Sequence, residues 1–316
     1  MNVQNLPADA LSDILSAINA RARCSISLTA GGAWSIGFPN PANLKFNAVR
    51  HGSCWLIVPG HAPVRLETGD CLVVSGTAFT LASDPAIAPV SARQIFSTSE
   101  MAAAVGDGAD FSIIGGSVEM DAIDGALLRE ALPPFLVVGS AQAISIRWLL
   151  DELGREWDSG AAGAQLVCSD LLRMIFVHVL RWYLASGDDG HAGWLGALKH
   201  RALARALHAI HREPSRDWSV AELAAIAGQS RSSFAARFKA AVGHSPVDYL
   251  TQWRMRLAAR RLRGGDVAIS VIARELGYAS ESAFGAAFRR VHDDAPGKYR
   301  RVHGAMPDGA KSDAAN

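Results

Sequence analysis

Cysteine is scarce: the 316 residues hold four, Cys24, Cys54, Cys71 and Cys168, and no two stand in a Cys-x-x-Cys spacing. That excludes a disulfide framework or a cysteine zinc site and leaves reduced, buried thiols as the expectation. Long uninterrupted apolar runs are missing too. The most apolar stretch, Leu166–Leu184, is broken by Asp170, Arg173 and Arg181. A buried helix is expected there rather than a membrane span, because charge at mid-bilayer is costly. The opening residues, MNVQNLPADALSDIL, lack a basic stretch followed by an apolar one, so no secretory signal is read and a cytoplasmic location is expected. No Ser-His-Asp arrangement and no paired-carboxylate spacing stands out, so an enzyme is not expected.

Net charge is also nearly absent, at +1, but this conceals an asymmetry. Residues 1–198 carry 11 Lys and Arg against 19 Asp and Glu, whereas residues 199–303 carry 19 against 9. A basic part joined to an acidic part implies a polyanionic partner for one domain only. Length suggests about two domains at ~150 residues each, and 49% apolar residues suffice for full cores.

What is present in quantity is a repeat. Ser219–Tyr249 reads SVAELAAIAGQSRSSFAARFKAAVGHSPVDY, and Ala268–Tyr299 reads AISVIARELGYASESAFGAAFRRVHDDAPGKY. Leu223, Ala224 and Gly228 recur as Ile272, Ala273 and Gly277; Phe234, Phe238, Pro246 and Tyr249 recur as Phe284, Phe288, Pro296 and Tyr299. A fixed-period repeat of turn and core residues indicates one supersecondary unit built twice. Each copy reads as a helix-turn-helix. Ser219 with Glu222 forms a capping box, Gly228 makes the turn, and Ser230 caps a second helix to about Val242. Ser245-Pro246 opens a connecting helix to Arg263, about 27 Å long at ~1.5 Å per residue. Ala268 replaces the capping serine of the second unit, which should weaken that cap by ~1 kcal/mol.

Phe234 and Phe238 turn inward, leaving Arg231, Ser232, Ala235 and Ala236 on the outer arc as base-reading candidates. Glu281, Ser282, Gly285 and Ala286 are their counterparts. Lys239, Arg254, Arg289, Arg290 and Arg300 are phosphate candidates, with Arg256, Arg260, Arg261 and Arg263 adding to the basic character of the connecting helix. The small side chains offer few hydrogen bonds, so DNA shape is expected to contribute to specificity.

Upstream, short runs such as WSIGF, FNAVRHG, CWLIVPG and CLVVSG are bounded by turn residues, which predicts a β-barrel over about 24–115. Helices follow over about 121–185. The predicted organisation is α+β and multidomain. It comprises a barrel and helical dimerisation domain (1–190), a linker (191–198), an all-α DNA-binding domain (199–303) and a disordered tail (304–316).

The compound motif GY-x-S-x-SAF-x-x-AF-x-R followed by P-x-x-YR resembles the DNA-binding domain of the AraC/XylS family. FNAVRHGSCWL with Gly60–Leu81 resembles that family's cupin-type sensor domain. The resemblance implies a transcriptional regulator, with activation as output and RNA polymerase as a partner. Gln165–Ala185 is apolar on nearly every face and needs a cover that the barrel and a second subunit would supply, so a homodimer is expected. The positions where metal-binding cupins carry histidines hold Asn47 and Phe79, and His51 and His61 lie in turn-like contexts. No metal or other cofactor is therefore expected. Trp34, Asn47, Trp55, Arg65 and Phe79 are the candidates for lining an effector pocket. DFSIIG (Asp110–Gly115) matches half of a PilZ-type cyclic-dinucleotide motif, but the Arg-x-x-x-Arg half is absent from the N-terminal region. Two other readings stay open: a barrel that binds no ligand and serves only dimerisation or partner binding, and a cupin metalloenzyme.

Overall fold

The computed structural model describes residues 9–17, 21–41, 43–96, 102–119, 128–129, 131–140, 144–186 and 193–304. The chain divides into two compact units, one spanning residues 18–191 and one combining residues 192–316 with the segment through Ala17.

In the first unit, eleven described strands form two sheets. The six-stranded sheet contains β1 (Arg21–Gly31), β3 (Leu44–His51), β6 (Cys71–Val74), β9 (Ala102–Gly106), β10 (Phe111–Glu119) and β11 (Phe135–Val138), in the order β11-β6-β3-β10-β1-β9. The five-stranded sheet contains β2 (Ser35–Phe38), β4 (Ser53–Ile57), β5 (Val64–Glu67), β7 (Phe79–Ala82) and β8 (Val90–Ser91), in the order β5-β4-β7-β2-β8. A short helix, α2 (Ala92–Ile95), follows β8. Strand alternation sends Leu28, Val49, Leu72 and Ile113 of one sheet, and Ile36, Cys54, Leu56 and Leu81 of the other, into one shared core.

The opposite face of the six-stranded sheet is apolar as well. Phe46, Ala48, Cys71, Val73 and Ile114 are buried there. The cover comes from α3 (Ile144–Ser159) and α4 (Ala164–Ala185), an antiparallel pair in which Ser145 Oγ and His178 Nδ1 lie 3.2 Å apart. Gly116 lets α4 approach, since a Cβ there would stand 2.4 Å from Leu172 Cδ2. Within α4, Cys168, Leu171, Leu172, Ile175, Phe176, Val179, Leu180 and Tyr183 are buried, whereas Leu166, Val167 and Met174 stay exposed. Cys54, Cys71 and Cys168 are free and buried, and burial first, with Asp70 second, pushes the Cys54 thiol up to about 12.

The second unit is all-helical. It contains α1 (Ala10–Ala17), α5 (Trp194–Leu198), α6 (Arg201–Arg212), α7 (Val220–Ala227), α8 (Arg231–Val242), α9 (Pro246–Arg263), α10 (Ile269–Glu275), α11 (Glu281–His292) and α12 (Pro296–His303). The duplicated aromatic residues repeat in space. Phe234–Phe238 and Phe238–Tyr249 ring centroids lie 5.5 and 5.8 Å apart; Phe284–Phe288 and Phe288–Tyr299 lie 5.8 and 5.3 Å apart. All six side chains are buried, each contributing roughly 1.5–3 kcal/mol of transfer free energy.

Three boundaries differ from expectation. The N-terminal helix α1 packs with this unit, burying Ala10, Leu11 and Ile14, and Asp13 Oδ2 lies 2.7 Å from His208 Nδ1. Residues 194–198, predicted as linker, form α5, with Trp194, Leu195 and Ala197 buried. Phe135–Val138, predicted as part of a helical region, forms β11, because Pro133-Pro134 stops the preceding turn and an extended FLVV pairs with β6. Residues 187–192 of the glycine-rich junction and 305–316 of the predicted tail lie outside the described residues. No helix among the described residues is long and apolar enough to cross a membrane.

Candidate nucleic-acid interface

The first reading motif is built by its caps. Ser219 Oγ accepts from the Glu222 amide, and the Glu222 carboxylate accepts in return from the Ser219 amide at 2.9 Å. Hydrogen bonds from the Ser219 backbone and hydroxyl, reinforced by the Arg216 guanidinium, hold the Glu222 carboxyl down at about 2. Gly228 turns the chain at φ 68°, and Ser230 Oγ accepts from the Ser233 amide to start α8. In the second motif Ala268 offers no side-chain cap to α10, Gly277 turns at φ 80°, and Ser280 Oγ caps α11 through the Ala283 amide. Two unlike sequences thus produce the same helix–turn–helix scaffold, because the matching residues are the caps, turns and core anchors.

The outward faces do not match. On α8, Arg231, Ser232, Ala236 and Lys239 are exposed, and Ala235 is half-buried beside the Phe234–Phe238 anchor. On α11, Glu281, Ser282, Ala286, Arg289 and Arg290 are exposed, and Gly285 occupies the place of Ala235. Helical spacing gathers each set on one arc, away from the buried phenylalanines. Arg237, which was not singled out from sequence, is exposed on the other flank of α8.

Two phosphate candidates are not free surface cations. Arg254 is buried; its Nε donates to the Pro214 carbonyl at 2.6 Å and an NH2 hydrogen to the Arg216 carbonyl at 2.9 Å. Its guanidinium also stands 5.5 Å from the Tyr278 ring centroid. It therefore ties α9 to the loop before α7 and to the turn of the second motif. Arg300 is half-buried and donates to the Val267 carbonyl, holding α12 to the entry of α10.

The connecting helix spends other positive charge in the same way: Arg263 donates to the Tyr299 hydroxyl at 2.7 Å, and Arg261 pairs with Glu275. Gly277 completes the junction, since a Cβ on it would stand 2.1 Å from the Ser215 carbonyl oxygen. Nearby, His211 is buried with Nε2 2.8 Å from the Tyr249 hydroxyl, and burial first, then His208 and Arg256, brings its pKa down to about 3. The imidazole is a neutral core group at physiological pH.

In the sheet unit the five effector candidates do not converge. Trp34 and Phe79 belong to the shared core, Trp34 at 4.9 Å from Phe111 and Phe79 stacked at 4.7 Å on Phe38. Asn47 is buried against Gly115 in the six-stranded sheet. Trp55 and Arg65 pair across β4 and β5 with the guanidinium 5.9 Å from the indole, on the face opposite Cys54 and Leu56. The alternation of β4 forces that: if residues 54 and 56 point inward, 55 points out. Trp34 does border an open hollow of about 470 Å³ with Gly32, Gly52, Glu67 and Asp110. Asp110 precedes β10 and accepts from the Gly32 amide, while Ser112 and Gly115 are paired mid-sheet, so the DFSIIG segment serves the sheet. His51 and His61 are exposed, and no cluster of three or more His, Cys, Asp or Glu suited to a metal ion occurs among the described residues.

A family model described as Cupin matches residues 9–185, and one described as Helix-turn-helix domain matches residues 223–302. A putative AraC-like transcription regulator of Streptomyces lividans is 42% identical over 304 residues, covering 95% of this chain and 100% of that protein. The chain belongs to the AraC-like family of transcription regulators. A second AraC-like relative, from Streptomyces antibioticus, is 42% identical over 298 residues, covering 93% of this chain and 98% of its own. The solved DNA-binding domain of AdpA, in complex with a target DNA, is similar over 31% of this chain and 89% of that one, at 29% identity and a TM-score of 0.30. As an AraC-like protein this chain is a DNA-binding transcription regulator and not an enzyme.

Proposed function

We propose that this AraC-like regulator reads promoter DNA with two unequal heads. The single observation that carries the reading is the mismatch of outward faces on matched scaffolds. Helix α8 offers Arg231 and Ser232 at its N-terminal end and Lys239 further along, so it reads base edges in the major groove. Helix α11 opens on Glu281 and carries its positive charge at Arg289 and Arg290, so it grips phosphates more than it reads bases. Ala235, Ala236, Gly285 and Ala286 supply close apolar approach rather than hydrogen bonds. The sheet unit takes a small-molecule effector, the output is activation through RNA polymerase, and the protein works in the cytoplasm as a homodimer.

Dimerisation is supported by Trp148, Leu166, Val167 and Met174, large apolar side chains left exposed on α3 and α4. Charge substitution at Leu166 and Met174 should leave a monomer in sedimentation, and a wild type that is already monomeric at working concentration would reject this part. A second reading, a sheet unit that serves association alone, is favoured by the apolar core between its sheets, to which Trp34, Phe79 and Phe111 contribute. Selection of bound genomic fragments by the full chain, with and without small-molecule cell extract, tests the main reading. One recurrent site whose recovery changes with extract supports effector control; identical recovery favours the association module, and random recovery rejects sequence-specific reading.

A further inference from the structure

Outside the shared core of the sheet unit, a groove of about 360 Å³ runs between the end of β3, the β5–β6 turn and one side of α3. Its floor is apolar, formed by Ala48, Ile114 and Leu150, and its rim carries Arg50, Arg147 and Arg155. On a helix packed against a sheet, positions 147, 151, 154 and 158 share one side, and here they hold Arg, Asp, Gly and Asp. Gly154 gives Arg50 its place: a Cβ there would stand 3.2 Å from the guanidinium, so the arginine crosses the helix where any side chain would crowd it.

At the end of that reach the Asp158 carboxylate meets Arg50 fork to fork, NH1 donating to Oδ1 at 3.1 Å and NH2 to Oδ2. Asp158 is 57% exposed and Arg50 33% exposed, so the pair sits at the mouth of the groove and water competes for it. The bidentate geometry places this among the stronger exposed pairs, yet exposure limits its worth to about 1 kcal/mol, a factor of about five, so another carboxylate of the same geometry can exchange with Asp158 on Arg50. Arg155 is paired with Glu152 on the outer side, and Arg147 lies one turn from Asp151. With Arg155 taken up by Glu152, Arg50 and Arg147 stand against Asp151 and Asp158, so a positive charge is left over once Asp158 is displaced.

We infer that this groove binds a small monoanionic carboxylate with a short aliphatic body, its head on Arg50 and Arg147 and its body over Ala48, Ile114 and Leu150, with Asp158 as the built-in competitor that the ligand displaces. This deepens the effector half of the proposed function and moves its site from the interior between the sheets to the groove outside them. With Asp158 displaced, Arg50 and Arg147 against Asp151 leave one positive charge for one carboxylate, and the apolar part of the lining favours a ligand with an aliphatic body.

The test is isothermal titration of the full chain without DNA, so that failure here leaves the DNA-reading proposal standing. Hexanoate is the probe, hexan-1-ol the neutral control and inorganic phosphate the anion without an aliphatic body. Hexanoate is expected to bind while hexanol and phosphate do not. Asp158→Ala should tighten hexanoate about fivefold, the full worth of a strong exposed pair. Arg50→Ala should abolish binding, and Arg147→Ala, on the exposed rim, should weaken it without affecting folding. No hexanoate binding in either wild type or Asp158→Ala would overturn the proposal, as would equal binding of hexanol. Asp158→Ala binding no more tightly than wild type would reduce the pair to a structural staple, and phosphate binding as well as hexanoate would remove the aliphatic body from the ligand.

Discussion

Gly228 and Gly277 occupy the same place in the two copies of the repeat, yet alanine should cost very different amounts at the two positions. Both are left-handed, at φ 68° and 80°, and an L-residue there costs about 1–2 kcal/mol in either copy. At Gly228 the added Cβ meets only the end of the Arg205 side chain, at 3.5 Å, so that conformational term is the whole effect. At Gly277 the same atom would lie 2.1 Å from the Ser215 carbonyl oxygen and 2.8 Å from its carbon. The Ser215 loop cannot easily retreat, because Arg254 holds the carbonyls on both sides of it and Trp218 Nε1 donates to the Glu213 carbonyl. Losing even one charged hydrogen bond there adds about 1.5–3 kcal/mol. Gly277→Ala should therefore destabilise by about 2.5–5 kcal/mol against ~1–2 for Gly228→Ala. Hydrogen exchange over residues 194–304 of the full chain, together with urea denaturation, gives both values. Equal losses, or a larger loss at Gly228, would refute the argument that the second turn is wedged against the entry loop of the first.

Other outcomes follow from the same helical unit. Asp293 is the one non-glycine residue at positive φ among the described residues and closes α11, so Asp293→Gly should raise stability by about 1 kcal/mol, read as an increase in the urea midpoint. Gly285 lies inside α11 with nothing within 4 Å of an added Cβ; Gly285→Ala should stabilise the fold by about 0.5–1 kcal/mol while weakening DNA binding, because only a bound partner would crowd that methyl. His211 stays neutral in the folded state down to about 3, well below its ordinary value of 6.5. Its stabilising contribution is therefore present above pH 6.5 and is lost as pH falls from 6.5 toward 3, at up to about 1.4 kcal/mol per pH unit. Urea denaturation from pH 7.5 to 4.5 should show that slope, and it should shrink in His211→Phe.

The repeat was readable because its caps, turn glycines and phenylalanines sit at fixed sequence spacing, and the bounds of α8 and α9 follow from Ser230, Gly243, Ser245-Pro246 and Gly264. The burial of Arg254 was not readable. Nothing local distinguishes it from Arg260, which is exposed on the same helix; the difference is a loop forty residues upstream that supplies carbonyls. The strand at Phe135–Val138 was missed because four apolar residues after two prolines fit a helix start as well as a sheet edge until β6 is available to pair with. Membership of α1 in the helical unit is tertiary: nothing in Ala10–Ala17 itself says what covers Ala10, Leu11 and Ile14. The effector candidates do not share one face, for a reason the sequence did contain. In SCWLI, Cys54 and Leu56 pointing inward fixes Trp55 outward, a period-two constraint that separates it from Trp34 and Phe79.

The central claim is that matched scaffolds carry unequal reading faces, and DNA affinity measured across a salt series for single substitutions on each helix tests it most directly. Arg231→Ala on α8 should lower discrimination between a selected site and scrambled DNA by about 1–3 kcal/mol. Arg290→Ala on α11 should weaken both DNAs alike and flatten the slope of log affinity against log salt by about one unit. Arg231→Ala losing affinity equally on both DNAs, with Arg290→Ala losing discrimination and keeping its salt slope, would contradict the account.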